Sequence, residues 1–195
     1  MNDAAAPGGS GRVWLAAALF ALAVAGFGAA SPDFGQLRHP VALLGARGEP
    51  HALAFNLAGF ALPGLLLAWR AVALRAGRGA ARWPVRIGLQ LAMLSALAFA
   101  AQGALPLDPT DLLAPASRLH ASAWMLWWVA FVPGALLLAA AAPRGRLLGV
   151  AFAVLVPLVA LGGASLVPAP LAQRVAFALW FGWWLLPAGR VGAGR

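Results

Sequence analysis

The sequence predicts an all-α integral membrane bundle of six transmembrane helices with both termini cytoplasmic, and three features predict it. Of its 195 residues, 63% are hydrophobic and 10% are charged, whereas soluble domains carry roughly a quarter charged residues. Six apolar runs approach the roughly 20 residues that a helix needs to cross a hydrocarbon core about 30 Å thick. The charges fall in the gaps between these runs, and alternate gaps differ in kind.

The spans follow in order. They are 13–30, 52–74, 87–105, 119–142, 147–167 and 171–187. Each is long enough to cross as a helix, the open-chain form that satisfies its own backbone hydrogen bonds in lipid. Residues 1–12 and 189–195 are read as short cytoplasmic tails around a single transmembrane domain, 13–188.

Orientation comes from arginine. The end of the second span and the gap after it hold Arg70, Arg75, Arg78, Arg82 and Arg86, the gap after the fourth holds Arg144 and Arg146, and the tail holds Arg190 and Arg195. The other gaps hold Asp33, Glu49, Asp108 and Asp111 with His39, His51 and His120. Arg-rich loops stay cytoplasmic, so the acidic and imidazole groups gather outside. Trp14, Trp69, Trp83, Trp124 and Trp180 fall near span ends, where indoles favour the interface. In a soluble protein the net charge of +9 would suggest nucleic acid. Insertion explains it here, and no nucleic-acid partner is expected. With no Cys, disulfides and thiolate chemistry are out of reach. A competing expectation is that the first span is a signal peptide cleaved before Ser31, after the small residues Gly28, Ala29 and Ala30.

Two stretches echo each other. His51-Ala-Leu-Ala-Phe55 leads to Pro63-Gly64, and His120-Ala-Ser-Ala-Trp124 leads to Pro133-Gly134. The match suggests a repeated two-helix unit, although Leu, Ala, Pro and Gly are common enough here to match by chance. Pro63, Pro133 and Pro157 lie within spans, where neighbouring helices satisfy the freed carbonyls.

The outer polar residues divide by chemistry. Arg38, Arg47, Arg118 and Arg174 have forked donors suited to phosphate, which makes them candidates for a lipid-headgroup or anion site. Asn56, Gln102, Asp111 and Gln173 are structural polar candidates. Asn56 and Gln102 each lie inside a span, where they would hydrogen-bond to one another across helices. His120 with Asp108 is the acid/base candidate, the carboxylate orienting the ring. His51 joins them as a catalytic candidate, and His51 and His120 with Asp108 or Asp111 would offer an open zinc sphere. No HExxH or comparable spacing accompanies that set, so no cofactor is expected. Asp108 or Asp111 paired with Arg118 or Arg174, and Glu49 with Arg47 or Arg38, would tie the loops together with no chemistry at all.

Several of these residues also carry a family likeness. The stretch from Arg38-His39-Pro40 to Leu44-Gly45-Ala46, followed by Phe55-Asn56 and Gly59, resembles the domain-of-unknown-function 998 family. So do Gly103-Ala-Leu-Pro-Leu-Asp108 with His120 after it, and Gln173-Arg174 before the last span. The resemblance implies a polytopic membrane protein of about six helices and points to Asn56, Asp108, His120 and Arg174. The family often has Ser before the Leu-Gly pair of its first loop. Here Ala42 and Leu43 stand there, which weakens a serine-hydrolase reading.

The expectation is therefore a multi-pass protein of the bacterial inner membrane, a non-catalytic component that binds a lipid headgroup or a partner. Membrane lipids are its expected partners, with a second membrane protein or another copy of the chain beside them. A membrane-embedded lipid hydrolase using His120 and Asp108 is the alternative, and a small transporter the further one.

Overall fold

The computed structural model describes residues 8–77 and 81–186. Among these residues the chain is all-helical, with no strands. Six segments dominate: α1 (Gly8–Ala30), α2 (Ala52–Ala76), α3 (Trp83–Ala104), α4 (Pro115–Ala140), α5 (Arg146–Ser165) and α6 (Ala169–Trp184). The first five are long and apolar enough to cross a membrane, which marks a multi-pass membrane protein. The sixth has 16 described helical residues. Its expected end at Pro187, the tail 189–195 and most of the tail 1–12 lie outside the described residues.

Local chemistry explains the helix ends. Pro84, Pro115 and Pro170 sit in the first turns of α3, α4 and α6, where a missing N–H costs nothing and the fixed φ is already helical. Ala114 is extended, with ψ 148°, as the residue before a proline must be. Thus α4 begins at Pro115 rather than at Leu119, and α1 begins at Gly8 rather than at Val13. Pro63 and Pro157 do interrupt their helices. A wide π turn, Asn56–Ala61, stands just before Pro63, and another, Leu158–Gly162, just after Pro157. A π turn is one of the local adjustments that re-satisfy backbone near a proline.

The core is aromatic. Phe99 of α3 meets Phe20 of α1, Phe60 of α2, and Phe177, Trp180 and Phe181 of α6 at centroid distances of 4.9–5.7 Å. Trp127 of α4 closes the cluster against Phe177 at 4.8 Å. Trp180 corrects one expectation. It is wholly buried and donates its indole N–H to Ser95 Oγ at 3.2 Å, so it belongs to the core, while Trp14, Trp69 and Trp83 are exposed. Large apolar side chains cover the rim, Leu53 at 74% exposure and Leu22 at 70%, a surface suited to lipid rather than water.

Both Pro-Gly pairs of the echo bring their helices close to α3. A Cβ on Gly64 would meet Ala96 O and Ala100 N at 2.7 Å, and one on Gly134 would meet Ala92 N and Gly88 O at 3.2 Å. Small residues let backbones approach in this way where lipid removes the hydrophobic drive for association. The two histidines of the echo differ, His51 being exposed and His120 buried.

Candidate functional site

Two connections, 31–51 and 105–114, meet at one end of the bundle and form a cap. Residues 31–51 supply most of it, around a five-residue 3-10 turn, Val41–Gly45. Such a turn leaves donors at its start and acceptors at its end unpaired. Gln173 of α6 takes the first, its Oε1 accepting from Val41 N–H at 3.0 Å. Asn56 of α2 takes the last, its Nδ2 donating to Gly45 O at 2.9 Å. A Cβ on Gly45 would run into the Asn56 amide, so the buried clamp requires glycine. The second connection, 105–114, joins through Arg47 N–H to Leu107 O at 2.9 Å.

Ser117, in the first turn of α4, organises that second connection. Its hydroxyl accepts from Asp108 N–H at 2.9 Å and lies 3.0 Å from the Asp108 and Asp111 carbonyls. Asp108 Oδ1 accepts from Thr110 Oγ1 at 2.6 Å and from Thr110 N–H at 3.0 Å, and Asp111 Oδ1 accepts from Leu113 N–H at 2.8 Å. Both carboxylates are thus spent on local turns of the Asx kind. The Thr110 hydroxyl, helped by its backbone N–H, holds the Asp108 carboxyl below the usual carboxylate range, with a smaller contribution from the Arg47 charge.

His120 sits apart from Asp108. Its ring is buried and its Nδ1 lies 2.9 Å from Leu105 O, a carbonyl at the end of α3 that no later turn of that helix can satisfy. An Nδ1–H donor therefore caps a neighbouring helix, and the His120–Asp108 pair is not formed. Nor is the Asn56–Gln102 bond. Asn56 is turned to Gly45, while the side-chain amide of Gln102, 1% exposed, has no hydrogen-bond partner among the described residues. Among the described residues no three His, Asp or Glu side chains gather closely enough to hold a metal ion, so His51, His120 and Asp108 do not form one sphere.

Of that set only His51 shares a space with other ionisable groups. Asp33, His39, Glu49 and His51 line an open cleft of about 480 Å³ on the cap.

The four candidate arginines fall into different settings. Arg38 and Arg118 are exposed, and Arg47 stands at the junction of the two cap connections. Arg174 is the built one. Its Nη2 and Nε donate to Gln36 Oε1 at 2.9 and 3.2 Å, and its Nη1 donates to Pro170 O at 2.8 Å and His39 O at 3.1 Å. Gln36 in turn donates through Nε2 to Val24 O of α1 at 3.0 Å. These are neutral acceptors, in place of the Asp108 or Asp111 carboxylate that charge alone would assign to Arg174. Gln36 and Ser117 carry no signal in the sequence that would single them out, since their partners are set by how loops fold back on helices.

No protein-family model matches the chain, and no curated protein or solved structure is similar to it.

The clamp on the 3-10 turn is directly testable. Asn56→Leu leaves the Gly45 carbonyl buried and unpaired, which costs about 1–3 kcal/mol. A lowered thermal midpoint in detergent is expected, and a midpoint equal to wild type would show that Asn56 does not hold the cap.

Proposed function

We propose that the protein is a non-catalytic component of the bacterial inner membrane that binds an anionic lipid headgroup with its capped end. In this reading six helices span, α6 included, both termini are cytoplasmic, and the cap faces outward. Kinship with the domain-of-unknown-function 998 family belongs to the same proposal.

The observation that carries the reading is Arg174, a half-buried guanidinium oriented by neutral acceptors at the edge of the cap. Four of its five N–H donors go to these uncharged acceptors, which leaves the charge unpaired and one Nη2 N–H for a phosphate, and charge-assisted bonds of this kind are about twice as strong as neutral ones. Supporting the non-catalytic side, His120, Asp108 and Asp111 are each engaged in a structural bond. Aromatic rings pack the middle of the bundle, which supports binding over transport. Orientation is supported by Arg75, Arg82, Arg86 and Arg146 at the opposite end. Phe20 of α1 is built into the aromatic core, which supports retention of the first helix.

Because the chain has no Cys, single-cysteine labelling has no background. Asp33→Cys and Pro109→Cys are expected to react with an impermeant maleimide in intact cells, and Arg82→Cys only after permeabilisation. The reverse pattern would overturn the orientation. For binding, Arg174→Gln is expected to lower retention of phosphatidylglycerol in native mass spectrometry by about 10- to 100-fold, the loss of a charged hydrogen bond of roughly 1.5–3 kcal/mol. Unchanged retention would sink the headgroup reading.

A further inference from the structure

Between α1 and α6 the surface of the bundle is cut by an open groove of about 510 Å³, within the size range of small-molecule sites. Its walls are apolar and its floor is made by what is missing. Ala17, Ala21 and Ala25 of α1 face Ala178 and Gly182 of α6. Spacings of three to four residues put each set on one helix face. Two polar side chains line it, Gln36 and Arg174, and both stand at the cap end. Gln36 ties the guanidinium to α1 by bonding to Arg174 on one side and Val24 O on the other.

Length and charge together select the occupant. The groove runs from Arg174 to Leu185 on α6 and from Ala25 to Trp14 on α1. Eleven residues at 1.5 Å each make roughly 16 Å, about half of a hydrocarbon core some 30 Å thick. An apolar trough one leaflet long, headed by a cation, matches one acyl chain with a phosphate at its end. A transmembrane helix fits poorly. With side chains it is about 10–12 Å across, and it would press apolar surface onto the guanidinium unless it brought a carboxylate of its own. Arg38, exposed and adjacent in sequence to the residue whose carbonyl holds Arg174, adds a second cation to the same cap connection.

From this we infer that the α1–α6 groove is a binding site for one acyl chain of an anionic diacyl phospholipid from the outer leaflet, whose phosphate is held by Arg174. The inference rests on the headgroup reading above and adds the chain, the place and the lipid class.

Native mass spectrometry of the full-length protein in detergent tests it, with dioleoyl phosphatidylglycerol, dihexanoyl phosphatidylglycerol, dioleoyl phosphatidylcholine and soluble glycerol 1-phosphate as probes. Wild type is expected to retain dioleoyl phosphatidylglycerol at least tenfold better than the short-chain lipid or glycerol 1-phosphate. Ala178→Phe and Ala21→Phe, one on each wall, are expected to reduce that retention at least tenfold. Leu126→Phe, on the exposed surface of α4, is expected to leave it intact. Arg174→Gln is expected to remove the preference for phosphatidylglycerol over phosphatidylcholine.

If both wall variants bind as wild type does while Arg174→Gln does not, the groove assignment fails and the headgroup reading stands. Equal wild-type binding of glycerol 1-phosphate and dioleoyl phosphatidylglycerol would also overturn the chain site, and that comparison needs no variant to fold. Should Arg174→Gln keep both retention and selectivity, both readings fail together.

Discussion

Replacing Phe99 with alanine is expected to lower the unfolding free energy by about 2–4 kcal/mol, among the largest effects of any single substitution in this chain. Phe99 is 0% exposed, and its ring touches rings from α1, α2 and α6 at once, so a cavity there cannot be closed by moving one helix. The magnitude sits at the lower side of the usual range for a reason. In a bilayer the unfolded reference still holds the phenyl ring in lipid, so the transfer part of the loss largely cancels and lost packing remains. Reversible unfolding in mixed micelles reads the difference. Leu53→Ala, on a side chain 74% exposed at the rim, is the control and should change little. A Phe99→Ala protein no weaker than that control would mean the aromatic cluster does not hold the bundle together.

Gly64→Leu is expected to cost about 1–3 kcal/mol or more, through overpacking rather than a void. The new Cβ alone would lie 2.7 Å from a backbone oxygen and a backbone nitrogen of α3. Neither can swing aside as a flexible side chain could, so α2 must move as a whole. Since α2 also carries Asn56, the shift would loosen the clamp on Gly45 at the cap. Gly26→Leu supplies the contrast, because nothing lies within 4 Å of a Cβ there. The same unfolding assay should separate the two variants clearly. Equal stabilities would show that α2 and α3 do not depend on their close approach.

How far these features could be read from residues alone differs by element. Spans one to five were legible because a run of about 20 apolar residues has few options in lipid other than a helix. Their ends were less so. α4 starts four residues before Leu119, at a proline whose own chemistry favours a first turn. The region after residue 74 was read as a charged gap, yet Arg75 belongs to α2 itself. Trp180 was assigned to the interface by its place near a span end, whereas helix rotation turns it inward onto Ser95.

Of the site, residue types were legible and pairings were not. Asn56, Gln173, Asp108, His120 and Arg174 all prove to be engaged at the cap end. Their partners are carbonyls, amides and hydroxyls, which composition cannot distinguish from the many others. Charge reasoning paired Arg174 with a carboxylate. The structure gives it Gln36, a neutral residue 138 positions away in the chain.

The division has a physical basis. Membrane residence, helicity and the contrast between an Arg-rich end and an acidic, imidazole-bearing end depend on sums over many residues, each insensitive to where any one side chain points. Those were determined by the sequence directly. Which polar groups meet depends on the rotation of each helix and on backbone approach at Gly45, Gly64 and Gly134, where a shift of an ångström makes or breaks a hydrogen bond. Only the folded bundle decides that, and only there does a trough between two alanine-lined helices come to end on an arginine.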